Sequence, residues 1–295
     1  MSTTLAQELF AIIAPVFLVA GIGFAWGRFR LPFDTKGMTT LVTWVGTPAL
    51  VVSTLLKTAP ALGTLSKLLL VAVVVHVAMG LLGYLVLKRA RLSCKAFLPS
   101  LIFGNCGNMG LPLSLFAFGE SGLALAIAFF TVSAIGMFTA GQAIAAGRTS
   151  LGILLRTPIL WAVALAMVLL ATGTRLPGWA GSTVDLLGQF TIPIMILALG
   201  VSLAKLQVHS LGRSALLSLV RIGGGMALGF GIGALFGLEG IELGVVVLQA
   251  SMPVAVFNYL FAQYYSNEPE EVAGLVVVST AMSFMMLPFL LPVIL

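Results

Sequence analysis

Phe103-Gly104-Asn105-Cys106-Gly107-Asn108-Met109-Gly110-Leu111-Pro112-Leu113-Ser114-Leu115-Phe116-Ala117-Phe118-Gly119-Glu120 decides how this chain is read. The stretch lies inside a long apolar segment, yet it holds four glycines, two asparagines and a proline. The glycines loosen the backbone. Pro112 removes an N–H and clashes with the carbonyl four residues earlier. Hydrocarbon offers no partners for backbone groups freed in this way. The stretch is therefore predicted to be a broken helix, near Cys106–Pro112, that faces protein or a water-filled cavity.

Working outward, the surrounding chain is apolar throughout. Of 295 residues, 60% are hydrophobic and 8% charged, against roughly 25% charged in a soluble domain. The composition implies a polytopic protein of the lipid bilayer. It excludes a nucleic-acid role for the net charge of +6, because basic excess in such a chain sits in loops and sets orientation. Met1–Glu8 lacks a basic n-region, so no cleavable signal is expected. Cys94 and Cys106 suggest neither a disulfide nor a metal site, and no cofactor is expected.

A span needs roughly 20 apolar residues. Ten segments qualify: about 9–27, 38–56, 66–87, 96–118, 122–146, 152–172, 183–204, 214–237, 241–264 and 271–294. Loops after the odd segments hold eleven basic residues: Arg28, Arg30, Lys36, Lys88, Arg89, Arg91, Lys95, Arg148, Arg156, Lys205 and Arg213. Loops after the even segments hold three, Lys57, Lys67 and Arg175. The positive-inside bias makes the odd loops cytoplasmic and puts both termini outside, in a cell inner membrane.

The two halves echo each other. Arg30-Leu31-Pro32 returns as Arg175-Leu176-Pro177, Pro48 as Pro193, and Phe116-Ala117 as Phe261-Ala262, all 145 residues on. His76 and Arg221 share that spacing. Two five-helix units, 1–146 and 147–295, follow, and an odd helix number inverts the second. The repeat demands a second break in the ninth segment. Gln249, Ser251, Pro253 and Asn258 cluster there, and Pro253 aligns with Asn108. Paired interruptions of this kind mark the binding site of secondary transporters.

Asn105-Cys106-Gly107-Asn108-Met109-Gly110-Leu111-Pro112 resembles the fourth-helix motif of the auxin efflux carrier family, including its bacterial malonate- and malate-permease-type members. Met252-Pro253-Val254-Ala255-Val256-Phe257 resembles that family's ninth-helix motif, and 278–288 its last helix. The resemblance implies an all-α fold like that of sodium/bile-acid symporters and sodium/proton antiporters. In that fold helices 4 and 9 cross at their breaks, helices 1, 2, 6 and 7 form a scaffold, and helices 3–5 and 8–10 form a moving core.

The expected substrate is a small organic anion, because the N–H end of a half-helix favours negative charge. Asn105, Asn108, Gly107 and Pro112 would line its site; for the asparagines the bland alternative is capping of the break. Gln249, Ser251, Pro253 and Asn258 would serve the same site or bond helix to helix. Pro48 and Pro193 would line the cavity or merely kink their helices. Arg221 would contact the anion, or snorkel to water from near its helix start. His76 could carry a coupling proton or stay neutral and hydrogen-bonded. Thr131, Ser133, Ser279 and Thr280 could ligate sodium or tie helices together. Asp185 and Glu120 are expected at helix ends, and no mid-membrane carboxylate pair is present, which argues against a sodium/proton antiporter. No His-Glu-x-x-His, Asp-rich or Gly-x-Ser-x-Gly motif supports an enzyme. The alternative carrier is a sodium-coupled bile-acid-type symporter. Proton or sodium coupling and a homodimer both stay open.

Overall fold

A computed structural model describes residues 3–147 and 158–295. Arg148, Arg156 and the start of the sixth predicted segment lie outside the described residues. Among those described, the secondary structure is helical apart from one isolated bridge. Seven helical stretches are long and apolar enough to cross a membrane, and Pro158–Thr172 and Gly240–Ala250 are shorter apolar helices.

The helices in order are α1 (Thr3–Arg28), α2 (Thr35–Leu41), α3 (Thr47–Thr58), α4 (Leu62–Ala90), α5 (Cys94–Ile102), α6 (Leu111–Gly136), α7 (Gln142–Ala146) and α8 (Pro158–Thr172). They continue with α9 (Gly178–Gln189), α10 (Thr191–Lys205), α11 (Leu211–Leu235), α12 (Gly240–Ala250), α13 (Val256–Tyr264) and α14 (Pro269–Ile294). Wide π-turns at Val42–Gly46, Cys106–Gly110 and Met137–Gly141 join α2 to α3, lead into α6, and join α6 to α7.

The prolines explain several junctions. Pro48 and Pro112 each fall in the first two positions of a helix, α3 and α6, directly after a π-turn. A missing N–H costs little there. Pro48 was expected mid-helix; the π-turn before it absorbs the irregularity. Pro193 likewise sits at the third position of α10, just past the bend at Phe190. The fourth and fifth predicted segments run together in α6 but turn sharply at Gly119, with φ 66° and ψ −163°. That conformation is open to glycine and strained for any side chain.

Lipid supplies no hydrophobic drive between helices, so close contact and polar pairing hold them. α1 lies along α10, and α3 against α8 and α9. Elsewhere α11 packs on α4, α12 and α14, and α6 on α4 and α12. A Cβ on Gly229 would come within 3.0 Å of Val247 Cα, so α11 and α12 touch backbone to backbone. Gly223 and Gly231, on the same helix, face open space and serve no such contact. Asp185 departs from its expected place at a helix end. It lies inside α9 and bridges to α3, accepting from Ser53 Oγ and pairing with Lys57 Nζ at 3.1 Å.

Candidate functional site

The interruption of the fourth predicted segment lies at Phe103–Asn105, a few residues before the expected Cys106–Pro112. The glycines and Pro112 do not unwind the chain where they stand. Cys106–Gly110 stays helical as a π-turn, and Pro112 begins the next helix. The ninth segment is interrupted at Ser251–Ala255. The two extended pieces meet as an antiparallel bridge, Gly104 opposite Val254. Asn105 N donates to Pro253 O at 2.6 Å, and Ala255 N to Phe103 O at 3.5 Å. Each break thus satisfies polar groups that the other exposes, which hydrocarbon could not do.

Side chains complete the frame. Asn258 Nδ2 donates to Phe103 O at 2.9 Å, capping the C-terminal end of α5. Ser279 Oγ accepts from Val254 N at 3.1 Å, and Ser251 Oγ donates back to Leu248 O at 2.9 Å. Gln249 Nε2 reaches Ser114 Oγ on α6 at 3.2 Å, and Cys106 Sγ donates to Gln249 O at 3.5 Å. These bonds lock α12 to α6 behind the crossing.

A cavity of about 290 Å³ opens on the other side. Gly104, Asn105, Gly107 and Asn108 form its wall at the first break, and Ala255, Val256 and Phe257 at the second. Thr35 and Lys205 also line it, with Lys205 Nζ donating to Thr35 Oγ1 at 3.1 Å. Asn105 is 4% exposed, and its side chain makes no capping hydrogen bond. Its Nδ2 has no partner at all. Asn108 is half-buried in the same wall. Of the other expected site residues, Ser133 reaches the cavity, whereas Pro48, Pro112, Pro193, Arg221, Gln249, Ser251, Pro253 and Asn258 do not line it.

Arg221 does not snorkel. It is 2% exposed, and its Nη1 donates to Ala250 O at 3.0 Å. His76 packs its ring between Phe103 and Phe129, with centroids 5.7 and 5.2 Å away, and its Nδ1 lies 2.7 Å from Ala72 O. A carbonyl only accepts, so that nitrogen carries the proton. Thr131 Oγ1 donates to Ile127 O at 2.7 Å and Thr280 Oγ1 to Val276 O at 2.8 Å. Ser279 Oγ similarly donates to Val276 O at 3.1 Å. Each of these hydroxyls spends its proton on its own helix.

Sequence reasoning missed one wall of the cavity. Thr35, Thr39, Thr43 and Thr47 all line it, from α2 through the π-turn to the start of α3. A four-residue spacing drifts around a regular helix of 3.6 residues per turn. The wider π-turn at Val42–Gly46 counters that drift. The threonine spacing was visible in the sequence, but the turn that keeps it on one face was not.

The family described as membrane transport protein matches residues 9–151 and 148–291. An uncharacterized transporter of Methanocaldococcus jannaschii is 25% identical over 269 residues, covering 85% of this chain and 87% of that protein. An uncharacterized transporter of Methanothermobacter thermautotrophicus is 26% identical over 268 residues, covering 86% and 87%. With both halves matched, the chain is a multi-pass membrane protein that belongs to the membrane transport protein family.

Proposed function

We propose that this protein is a secondary active transporter of the auxin efflux carrier type, close to the malonate- and malate-permease-like members. It moves a small organic anion, a mono- or dicarboxylate, by alternating access across the inner membrane. One observation carries the reading: the Asn105 amide, buried in the cavity wall beside the break, is spent neither on a cap nor on any neighbour. An unpaired buried donor costs about 1–3 kcal/mol, a cost that a ligand accepting from it would offset. A carboxylate supplies that acceptor. The N–H ends of the π-turn leading into α6 and of α13 add partial positive charge.

In this reading the chain counts as ten spans in two inverted units, 1–146 and 147–295. α5 with the first part of α6 makes the fourth span, and α12 with α13 the ninth. The packing of α1 on α10 and α3 on α8 and α9 supports a scaffold of spans 1, 2, 6 and 7. The cavity then opens toward the basic loops, which face the cytoplasm with both termini outside. A Lys36→Cys probe in a cysteine-free background should resist an impermeant reagent in intact cells; labelling there reverses the orientation.

The cavity of about 290 Å³ lies at the small end of ligand sites. This favours a small acid over the steroid acid of a bile-acid-type symporter. The test is a thermal-shift panel of malonate, malate, lactate, indole-3-acetate and taurocholate, each with sodium or choline. A ligand at a hundredfold its Kd stabilises by about 2.7 kcal/mol. A shift with a small carboxylate is expected. A shift with taurocholate alone, dependent on sodium, selects the symporter, and no shift with any acid sinks the anion reading.

A further inference from the structure

Arg221 is the only charged side chain buried at the crossing among the described residues. A guanidinium stays protonated inside proteins, and a buried charge is costly without compensation. Among the described residues its surroundings hold no carboxylate: every ion pair joins other residues, Lys57 with Asp185, Lys67 with Glu242, and Arg213 with Glu268 and Glu271. Its Nε has no partner.

The compensation comes from a carbonyl. Ala250 is the last residue of α12, and its carbonyl is one of the orphans at the partially negative end of a half-helix. Arg221 Nη1 donates to it at 3.0 Å. Nη2 lies against Gly104, where an added Cβ would overlap it and come within 2.9 Å of Met252 O. A Cβ on Gly225, one turn along α11, would overlap Ala250 O and stand 3.0 Å from Nη1. Two glycines therefore clear a seat for this one side chain. Gly104 is also part of the cavity wall, so the positive charge sits one residue's backbone behind the place where an anion would bind.

In carriers built from broken helices, C-terminal half-helix ends and unwound carbonyls are the groups that coordinate a co-transported cation. Here the α12 end, Ala250 O, is held by this side chain, while Phe103 O and Pro253 O are taken by Asn258 Nδ2 and Asn105 N. We propose that the Arg221 guanidinium is the resident cation of the crossing, holding the carbonyl end of α12 and attracting the anion so that no sodium ion is required for binding. The inference rests on the carboxylate reading above. It also separates the residue's role from direct contact: Arg221 acts on the anion through the field across Gly104.

The test uses the purified full-length protein and the acid that gives the largest thermal shift in the panel, malonate first. Binding is titrated in sodium chloride and in choline chloride for the wild type, Arg221→Lys and Arg221→Gln. The wild type should bind with the same affinity, within about twofold, in both salts. Arg221→Lys keeps the charge and should retain most of the affinity. Arg221→Gln keeps an amide donor for the Ala250 carbonyl but loses the charge, and should lose at least about tenfold in affinity. A merely structural cap would leave the glutamine variant's affinity intact, and that result overturns the proposal. So does a wild type that binds malonate only in sodium. If the glutamine variant fails to fold, the sodium comparison on the wild type still decides. Failure of every acid in both salts strikes the carboxylate reading itself, a result distinct from binding that needs sodium.

Discussion

The two breaks meet at the crossing, Gly104 opposite Val254, yet they do different work. The first, at Phe103–Asn105, turns polar groups outward: Asn105 and Asn108 stand in the cavity wall. The second, at Ser251–Ala255, turns them inward. Gln249, Ser251 and Asn258 hydrogen-bond to Ser114, Leu248 and Phe103, while the cavity meets Ala255, Val256 and Phe257. One break presents the ligand groups and the other frames them. Two breaks that face each other therefore need not carry matching chemistry, because the polar side chains beside each have different neighbours to satisfy them.

This contrast can be broken most sharply at Asn105. Asn105→Asp places a negative charge where an anion is expected, so binding of malonate or the selected acid should fall by more than about a hundredfold at neutral pH. Affinity should return in part as the pH is lowered, because the aspartic acid is uncharged below its pKa and charged above it. Calorimetric titration at neutral and acid pH measures both; equal affinity of wild type and variant at neutral pH would remove the anion from this wall.

Next in size is a paired comparison. Asn105→Ala should cost about ten- to a hundredfold in affinity, from the loss of a hydrogen bond to a charged ligand worth about 1.5–3 kcal/mol. It should leave the melting temperature without ligand almost unchanged. Asn258→Ala should do the reverse. It strips the side-chain donor from Phe103 O and should lower stability by about 1–3 kcal/mol, with affinity held within a few-fold. If both variants lose affinity and keep stability, the second break is a ligand site after all, and the asymmetry drawn above is wrong.

A smaller effect is expected at Asn108. It is half-buried, so water can replace a lost amide there, and Asn108→Ala should cost less than Asn105→Ala in the same titration. The smallest effect belongs to Pro48. It starts α3 and lies off the cavity wall, so Pro48→Ala should change stability by under about 1 kcal/mol and affinity not measurably. A large loss of affinity would show that this junction moves during binding.

Much of the architecture was legible in the chain. Apolar runs of spanning length follow from the thickness of hydrocarbon, and two interruptions follow from its lack of hydrogen-bond partners. Asn105 and Asn108 were legible as candidate ligand groups for the same reason. Less was legible at the level of individual contacts. The first break moved to Phe103–Asn105 because Cys106–Gly110 could keep its hydrogen bonds by widening into a π-turn, and Pro112 could open a helix instead of ending one. The threonine wall from Thr35 to Thr47 depended on another such turn.

What the sequence determined by itself, then, was a membrane-embedded helical chain with two interrupted segments, since composition and hydrocarbon chemistry leave few other ways to satisfy the backbone. What only the tertiary structure decided was the direction each polar group takes. Position along the chain placed Arg221 near a helix start, where it could have reached water. Packing placed it under Gly104 and against the Ala250 carbonyl. A polar side chain goes where an unsatisfied partner lies, and here that partner, Ala250, belongs to a different helix, 29 residues away.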